Sequence, residues 1–458
     1  MPSRPAFLRA LLLAFCCCLL GPAQAAEVAL RFDFGQAHPF DGVGAQVFLN
    51  APNPDEGARM LRDMNAQLVR VALLQKYPAD KLGTGNLSLA RAGEILTESE
   101  TPALRRNLAE FKAMVDAQHL RVHLIVWHMP EAWEDVKQKK AASHKESHIA
   151  RADRIPDYVN LVTAQLLFLH RAGLAIEAIE LTNEPQGAWD LRYEPGDYAD
   201  LVLQARKAMD AAGLQAIRID GPGTGLRNFE AFLKGLQKRG ALGALGFITA
   251  HAYQSPQKLA DDATPGVAEF LGKGRYGPIV ITEFGVKKHN GDDEEAADDL
   301  DVDSPAYALA ASAEALQLLA RGASSVIYWQ LEDSARSKKL HGLISEDGRR
   351  RPVAAAVQAL FGKVPGHGTL TAGQGGPALL PATAIKADGR LFLLLVNATD
   401  APQQIVARFD GVTAPTSIGA RSVWAAPGAG EPLAGASVSG GQFRATLAPR
   451  ALASVELR

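Results

Sequence analysis

Two stretches of this sequence present a carboxylate where an apolar run stops. In Ile179-Glu180-Leu181-Thr182-Asn183-Glu184-Pro185 the run ends in an Asn-Glu pair, and the proline that follows cannot donate to a strand ladder. Ile279-Val280-Ile281-Thr282-Glu283-Phe284-Gly285 ends in the same way at Glu283. Each reads as a short buried strand that carries a glutamate to its C-terminal rim. Two carboxylates facing each other across a substrate are what cleavage of a glycosidic bond needs: one protonates the departing oxygen, and the other attacks or screens the anomeric carbon. Other apolar runs end in polar or aromatic residues of matching use: Arg70, Trp127 with His128, Asn183, His251 with Tyr253, and Trp329 followed by Glu332. An arginine beside an attacking carboxylate favours its ionised form, and a tyrosine hydroxyl holds it in place. Asn183 suits a sugar 2-hydroxyl, and the tryptophans offer flat platforms to sugar C–H faces. Trp133 and Trp189 fall in rim loops, where they would meet more distant sugars. Taken singly, these residues have plainer readings: a rim salt bridge for Glu184, a structural acid partner for Arg70, core packing for His251, Tyr253 and Trp329. The ordered set is what points to chemistry.

The elements that must hold these residues alternate along the chain. Strands are expected at 40–48, 67–73, 121–127, the run to Glu184, 216–220, 246–251, the run to Glu283, and 324–329. Helical patterns follow at 56–65, 104–118, 153–172, 197–212, 228–239, 266–271, 305–321 and 352–361; Leu104, Leu108, Phe111 and Val115 share one face. Eight strand–helix units over 40–364 favour an α/β fold of the (β/α)8 TIM barrel type. An open doubly wound sheet loses support because no Gly-x-Gly-x-x-Gly follows an early strand. Past Gly362 the helical texture gives way to short alternating segments at 391–397, 404–409, 417–424, 442–447 and 452–457. They read as a small C-terminal antiparallel β-sandwich over 365–458, with the N-terminal strand in 26–39 as a candidate member.

Composition narrows the function classes. The chain has 458 residues, 47% of them hydrophobic, enough for a large core, and a formal charge of −2, which argues against a nucleic-acid partner. Residues 1–25 carry Arg4 and Arg9, an apolar run and Ala23-Gln24-Ala25, the pattern of a signal peptide. The expected product is periplasmic or secreted, with no stable membrane span once the leader is removed. All three cysteines, Cys16, Cys17 and Cys18, lie in that leader, so cysteine nucleophiles and thiolate metal sites are excluded from the mature chain. With no His-x-x-x-His cluster either, no metal and no cofactor are expected. From Asp292 to Asp303 eight carboxylates fall in twelve residues, a solvated rim loop or a place for a cationic glycan or Ca2+. Asn86 and Asn397 fit the N-glycosylation pattern, which has meaning only in a eukaryotic secretory pathway.

Asn183-Glu184-Pro185, Thr282-Glu283-Phe284-Gly285, His251-x-Tyr253, Arg70 and Trp329, in this order and spacing, resemble the clan A retaining glycoside hydrolases. Phe40-Asp41-Gly42-Val43-Gly44-Ala45 and Trp127-His128-Met129-Pro130-Glu131-Ala132-Trp133 are similar to segments of glycoside hydrolase family 30, and the β-rich tail suits that family. His128 departs from it, standing where a serine is usual, and families 5 and 39 stay open. The resemblance covers residues 40–360. It implies a retaining β-glycoside hydrolase that cuts a β-linked polysaccharide or oligosaccharide by double displacement. Glu184 would be the acid/base and Glu283 the nucleophile, their carboxyl groups about 5–5.5 Å apart. Arg70, Trp127, His128, Asn183, His251, Tyr253 and Trp329 would bind substrate. The alternatives are a non-catalytic carbohydrate-binding protein on the same barrel and an exo-acting β-glycosidase.

Overall fold

The structure is a computed structural model that describes residues 26–72, 79–82, 86–127, 129–137, 147–186, 191–253, 279–286, 301–333, 341–428 and 430–458. Residues 1–25 with the three cysteines, His128, Trp189, the helix expected at 266–271 and positions 292–300 of the acidic run lie outside the described residues. Among the described residues, no helix is long and apolar enough to cross a membrane.

Eight parallel strands close into a barrel: Gly42–Phe48, Leu68–Ala72, Arg121–Ile125, Ala178–Glu180, Arg218–Gly225, Phe247–Ala252, Ile279–Phe284 and Ala323–Tyr328. The last pairs with the first, Val326 opposite Val43. Helices on the outside bury the stripe their periodicity marks. Pro102–Gln118 buries Leu108, Phe111 and Val115, while Leu104 is only partly covered. Hydroxyl caps followed by proline start two of them. Thr101 accepts from the Leu104 amide at 3.1 Å, and Ser304 from the Tyr307 amide at 3.1 Å.

Side-chain alternation sorts each strand into an outer apolar face and an inner face that grows polar toward the C-terminal end. Leu68, Ala178, Phe247, Val280 and Ile327 pack together inside the barrel. Two residues further along the same inward faces come Arg70, Glu180, Thr249, Thr282 and Trp329. Beside this floor His123 bridges two acids, with Nδ1 2.7 Å from Asp220 and Nε2 3.3 Å from Glu177. Burial alone would lower the imidazole, but the two carboxylates outweigh it and raise the ring to about 9. The folded value then lies above the unfolded one of about 6.5, so this charge stabilises fully below that pH and its contribution is lost as pH rises to about 9. The urea midpoint of the parent is expected to fall across that window, by the equivalent of up to about 3 kcal/mol. His123→Gln is expected to lack the fall; a parent midpoint that stays flat would mean an uncharged ring.

A ten-stranded sheet folds into the second layer pair. The strand Ala26–Asp33 runs parallel to Gln403–Asp410 along its whole length, while its other neighbour, Gly368–Gln374, is antiparallel. Thr369 to Ala372 pair with the strand Ala382–Ala387, and Gly373 and Gln374 with Phe32 and Arg31, so one strand serves both halves. Leu391, Leu393 and Leu395 of the strand Arg390–Asn397 face the sandwich core, whereas Phe392, Leu394 and Val396 join the barrel's. The helix Pro305–Ala320, apolar nearly all round, packs against that second face. Asn397 is buried and its amide donates to Ala401 and Ala448 carbonyls, which leaves no free nitrogen for a glycan.

Candidate active site

The strand before Glu184 is shorter than its apolar run. Pairing stops at Glu180, opposite Asp220, because the neighbouring strand continues as Gly221-Pro222-Gly223, and a proline has no N–H to offer. Leu181 to Asn183 leave the ladder as bends. Glu184 sits at φ +44°, in the left-handed region that disfavours a side chain, and its amide donates to the Gly223 carbonyl at 3.2 Å. The result is a buried carboxylate at the C-terminal mouth of the barrel.

Glu283 reaches the same place by a different device. Ala250 pairs with Ile281, but His251 pairs with Glu283, so Thr282 is an extra residue on the seventh strand. This bulge breaks the alternation, and Thr282 and Glu283 both turn inward. Arg70 Nη1 donates to Glu283 Oε1 at 2.5 Å, and the Tyr253 hydroxyl donates to Oε2 at 2.6 Å. His251 Nδ1 lies 3.0 Å from Glu184 Oε1 and 3.4 Å from Glu283 Oε2. One oxygen of Glu184, one of Glu283 and a ring nitrogen of His251 all lie within 4.8 Å of one another. That set has the size to hold a metal ion, yet both Glu283 oxygens already accept from Arg70 and Tyr253.

Electrostatics follow from this packing. Burial disfavours a charged His251, but Glu283 and Glu184 outweigh it and raise the ring above its ordinary value. Burial and the Glu283 charge push the Tyr253 phenol far up, so it remains a donor. Arg70 is fully buried and uses its whole fork: Nε to Glu180 at 2.7 Å, Nη1 also to Gln46 at 3.0 Å, and Nη2 to Asn183 at 2.9 Å. Asn183 is thus tied by its oxygen to Arg70, which fixes the bend that carries Glu184.

Trp127 and Trp329 are half-buried with ring centroids 5.6 Å apart, and Phe48 stands edge-on to both at 5.6 and 6.0 Å. The three rings form one aromatic wall at the ends of the first, third and eighth strands. Phe48, Gln46 and Glu180 were not among the residues the sequence singled out. Gln46 and Phe48 lie two and four residues past Gly44 on one inward face, a signal that period-2 counting carries.

Two expectations are corrected. Trp133 is completely buried rather than open to substrate, and its carbonyl anchors Arg151 at the base of a small sheet made of Glu134–Lys137, Ser147–Ala150 and Leu191–Arg192. Glu332 turns away from the mouth and accepts from the Asn53 amide at 2.9 Å, at the start of the helix Pro54–Asp63. Of the acidic run, residues 301–303 are described, and there Asp303 pairs with Arg349 at 2.9 Å and Arg351 at 3.2 Å.

No family model and no curated protein matches the sequence. Solved structures do match in fold. A glycoside hydrolase family 30 endoxylanase from Clostridium papyrosolvens superposes with a TM-score of 0.68 at 17% identity, over 94% of this chain and 100% of that one. A family 39 enzyme from Xanthomonas axonopodis pv. citri gives 0.57 at 15% identity, over 96% and 99%. AbfB, a family 51 α-L-arabinofuranosidase from Bifidobacterium longum, gives 0.59 at 15% identity, over 95% and 100%. The chain therefore has the (β/α)8-barrel-plus-sandwich fold that these glycoside hydrolases share.

Proposed function

We infer that the chain is a retaining glycoside hydrolase that cuts a β-linked polysaccharide by double displacement, exported on the leader-like residues 1–25. The observation that carries this reading is the approach of Glu184 and Glu283 to within 4.8 Å, oxygen to oxygen. Inverting enzymes hold their carboxyl groups about 6.5–9.5 Å apart to seat a water between them, whereas retaining ones hold them at about 5–5.5 Å. The two glutamates also have unlike surroundings, as unlike roles require. Glu283 accepts from Arg70 and Tyr253, the setting of an ionised nucleophile. Among the described residues, the hydrogen-bond partner of the Glu184 carboxylate is His251, the setting of a group that gives and takes a proton. The wall of Phe48, Trp127 and Trp329 suits stacking of a sugar ring beside them. Because the matched folds include both a xylanase and an α-L-arabinofuranosidase, the fold leaves the sugar to be found by assay. Purified mature protein is to be tested on a panel of β-linked polysaccharides, including partly deacetylated amino-sugar polymers. Release of new reducing ends from at least one is the expected result; binding without release would favour a carbohydrate-binding protein.

Tyr253→Phe removes the hydroxyl that donates to Glu283 Oε2 and little else. On the substrate so identified it is expected to lower kcat/KM by about 10- to 100-fold, at the low end of what a positioned donor contributes. Steady-state kinetics check this, and an unchanged rate would remove Tyr253 from the site.

A further inference from the structure

Glu180 sits below the two glutamates and touches neither. It is completely buried, and its Oε1 accepts from Thr249 and Thr282 hydroxyls at 2.8 Å each, while Oε2 accepts from Arg70 at 2.7 Å. Gly223, at φ +59°, packs so closely that a Cβ there would come within 2.8 Å of Glu180 Oε1. Four other strands thus box in one carboxylate. Burial opposes its charge, but Arg70, His251 and the two hydroxyls outweigh that and hold it ionised.

Arg70 therefore has two carboxylates where one would balance its charge. The reading of the site given above explains the excess, and the following rests on it. When a Glu283 oxygen bonds the anomeric carbon, the bond from that carbon to the leaving oxygen breaks and the oxygen takes the proton of Glu184. Glu283 is then a neutral ester. A buried guanidinium paired with Glu283 alone would be left without a counter-charge at that moment, which is strongly unfavourable. We propose that Glu180 is a positioning residue, the permanent counter-ion of Arg70, which lets the charge on Glu283 come and go during turnover. It also fixes the guanidinium fork, so that Nη1 and Nη2 stay aimed at Glu283 and Asn183 throughout.

A double-mutant cycle tests this without any substrate. Glu283→Gln imitates the charge lost on esterification, Glu180→Gln removes the standing charge at nearly constant shape, and the double variant removes both. Urea midpoints of the two singles are expected to lie near the parent, since each keeps one carboxylate on Arg70. The double is expected to fall by clearly more than the sum, or to fail to fold while both singles fold. Additive shifts would overturn the proposal and leave Glu180 a packing group. Should Glu180→Gln alone fail to fold, Arg70→Met in the same background removes the charge that needs balancing: recovery supports the proposal, and no recovery overturns it. Inactivity of the parent on every polysaccharide would count against the functional reading while the cycle still decides the charge pairing. On an active substrate, Glu180→Gln is expected to lower kcat/KM about tenfold or more, the loss falling on kcat rather than KM, because the counter-charge is needed when Glu283 is esterified. A loss confined to KM speaks against it.

Discussion

Glu283→Ala is expected to lower hydrolysis of a β-linked polysaccharide by on the order of 10^4-fold or more, the loss that follows when the group forming a covalent intermediate is removed. The fold should survive, because Arg70 keeps Glu180 and Tyr253 remains at the half-open mouth. The vacated space lies between Arg70 Nη1 and the Tyr253 hydroxyl, two donors formerly 2.5 and 2.6 Å from the carboxylate. A small anion such as azide suits that space. Azide is expected to restore part of the rate on an activated aryl β-glycoside and to give the α-glycosyl azide, since a single displacement inverts the centre. Chromatography of the products checks this; a β-azide, or a rate close to the parent's, would remove Glu283 from the nucleophile's role.

Glu184→Ala is expected to behave differently on different leaving groups. A leaving oxygen that departs as a stable phenolate needs no proton, so the first step on a 2,4-dinitrophenyl glycoside should be nearly kept. The natural polymer needs the proton, and its hydrolysis should fall by about 10^2- to 10^4-fold, the usual worth of general acid catalysis. Azide should now attack the glycosyl-enzyme from the opposite face and give the β-azide. Equal losses on both substrates would point to misfolding or to another acid. The contrast between the two alanine variants assigns the roles, because each leaves a product of opposite configuration.

What the chain discloses before folding divides along physical lines. The barrel was legible because parallel strands covered on both sides read as apolar runs, and helices between them show their stripe. The carboxylates were legible because a charged residue at the end of such a run has few other places to go. Glu180 was not. It lies inside an apolar run, where alternation gives it either face, and only the fold shows four other strands closing around it. The bulge that turns Thr282 and Glu283 to the same side also left no mark, since ladder register is a property of two strands. The bend at Leu181–Asn183 lies beside Gly221-Pro222-Gly223, about forty residues further along the chain. Trp133 and Glu332 were misplaced for a related reason: a loop position does not say whether a side chain meets solvent or packs beneath its own loop. In the sandwich, Gly368–Gln374, Ala382–Ala387 and Leu433–Ser439 went unseen because glycine, alanine, serine and threonine give weak alternation. The run in Arg390–Asn397 was visible, and its lack of alternation reflects apolar partners on both faces.

The most direct test is the configuration of the first-formed product. Proton NMR of a β-linked polysaccharide during the first minutes of cleavage resolves the two anomers of each new reducing end before they interconvert. Two carboxylates this close act by double displacement, so the β anomer should appear first and the α anomer grow in later by mutarotation. Initial appearance of the α anomer would mean a single displacement by water, and the roles given to Glu184 and Glu283 would be wrong.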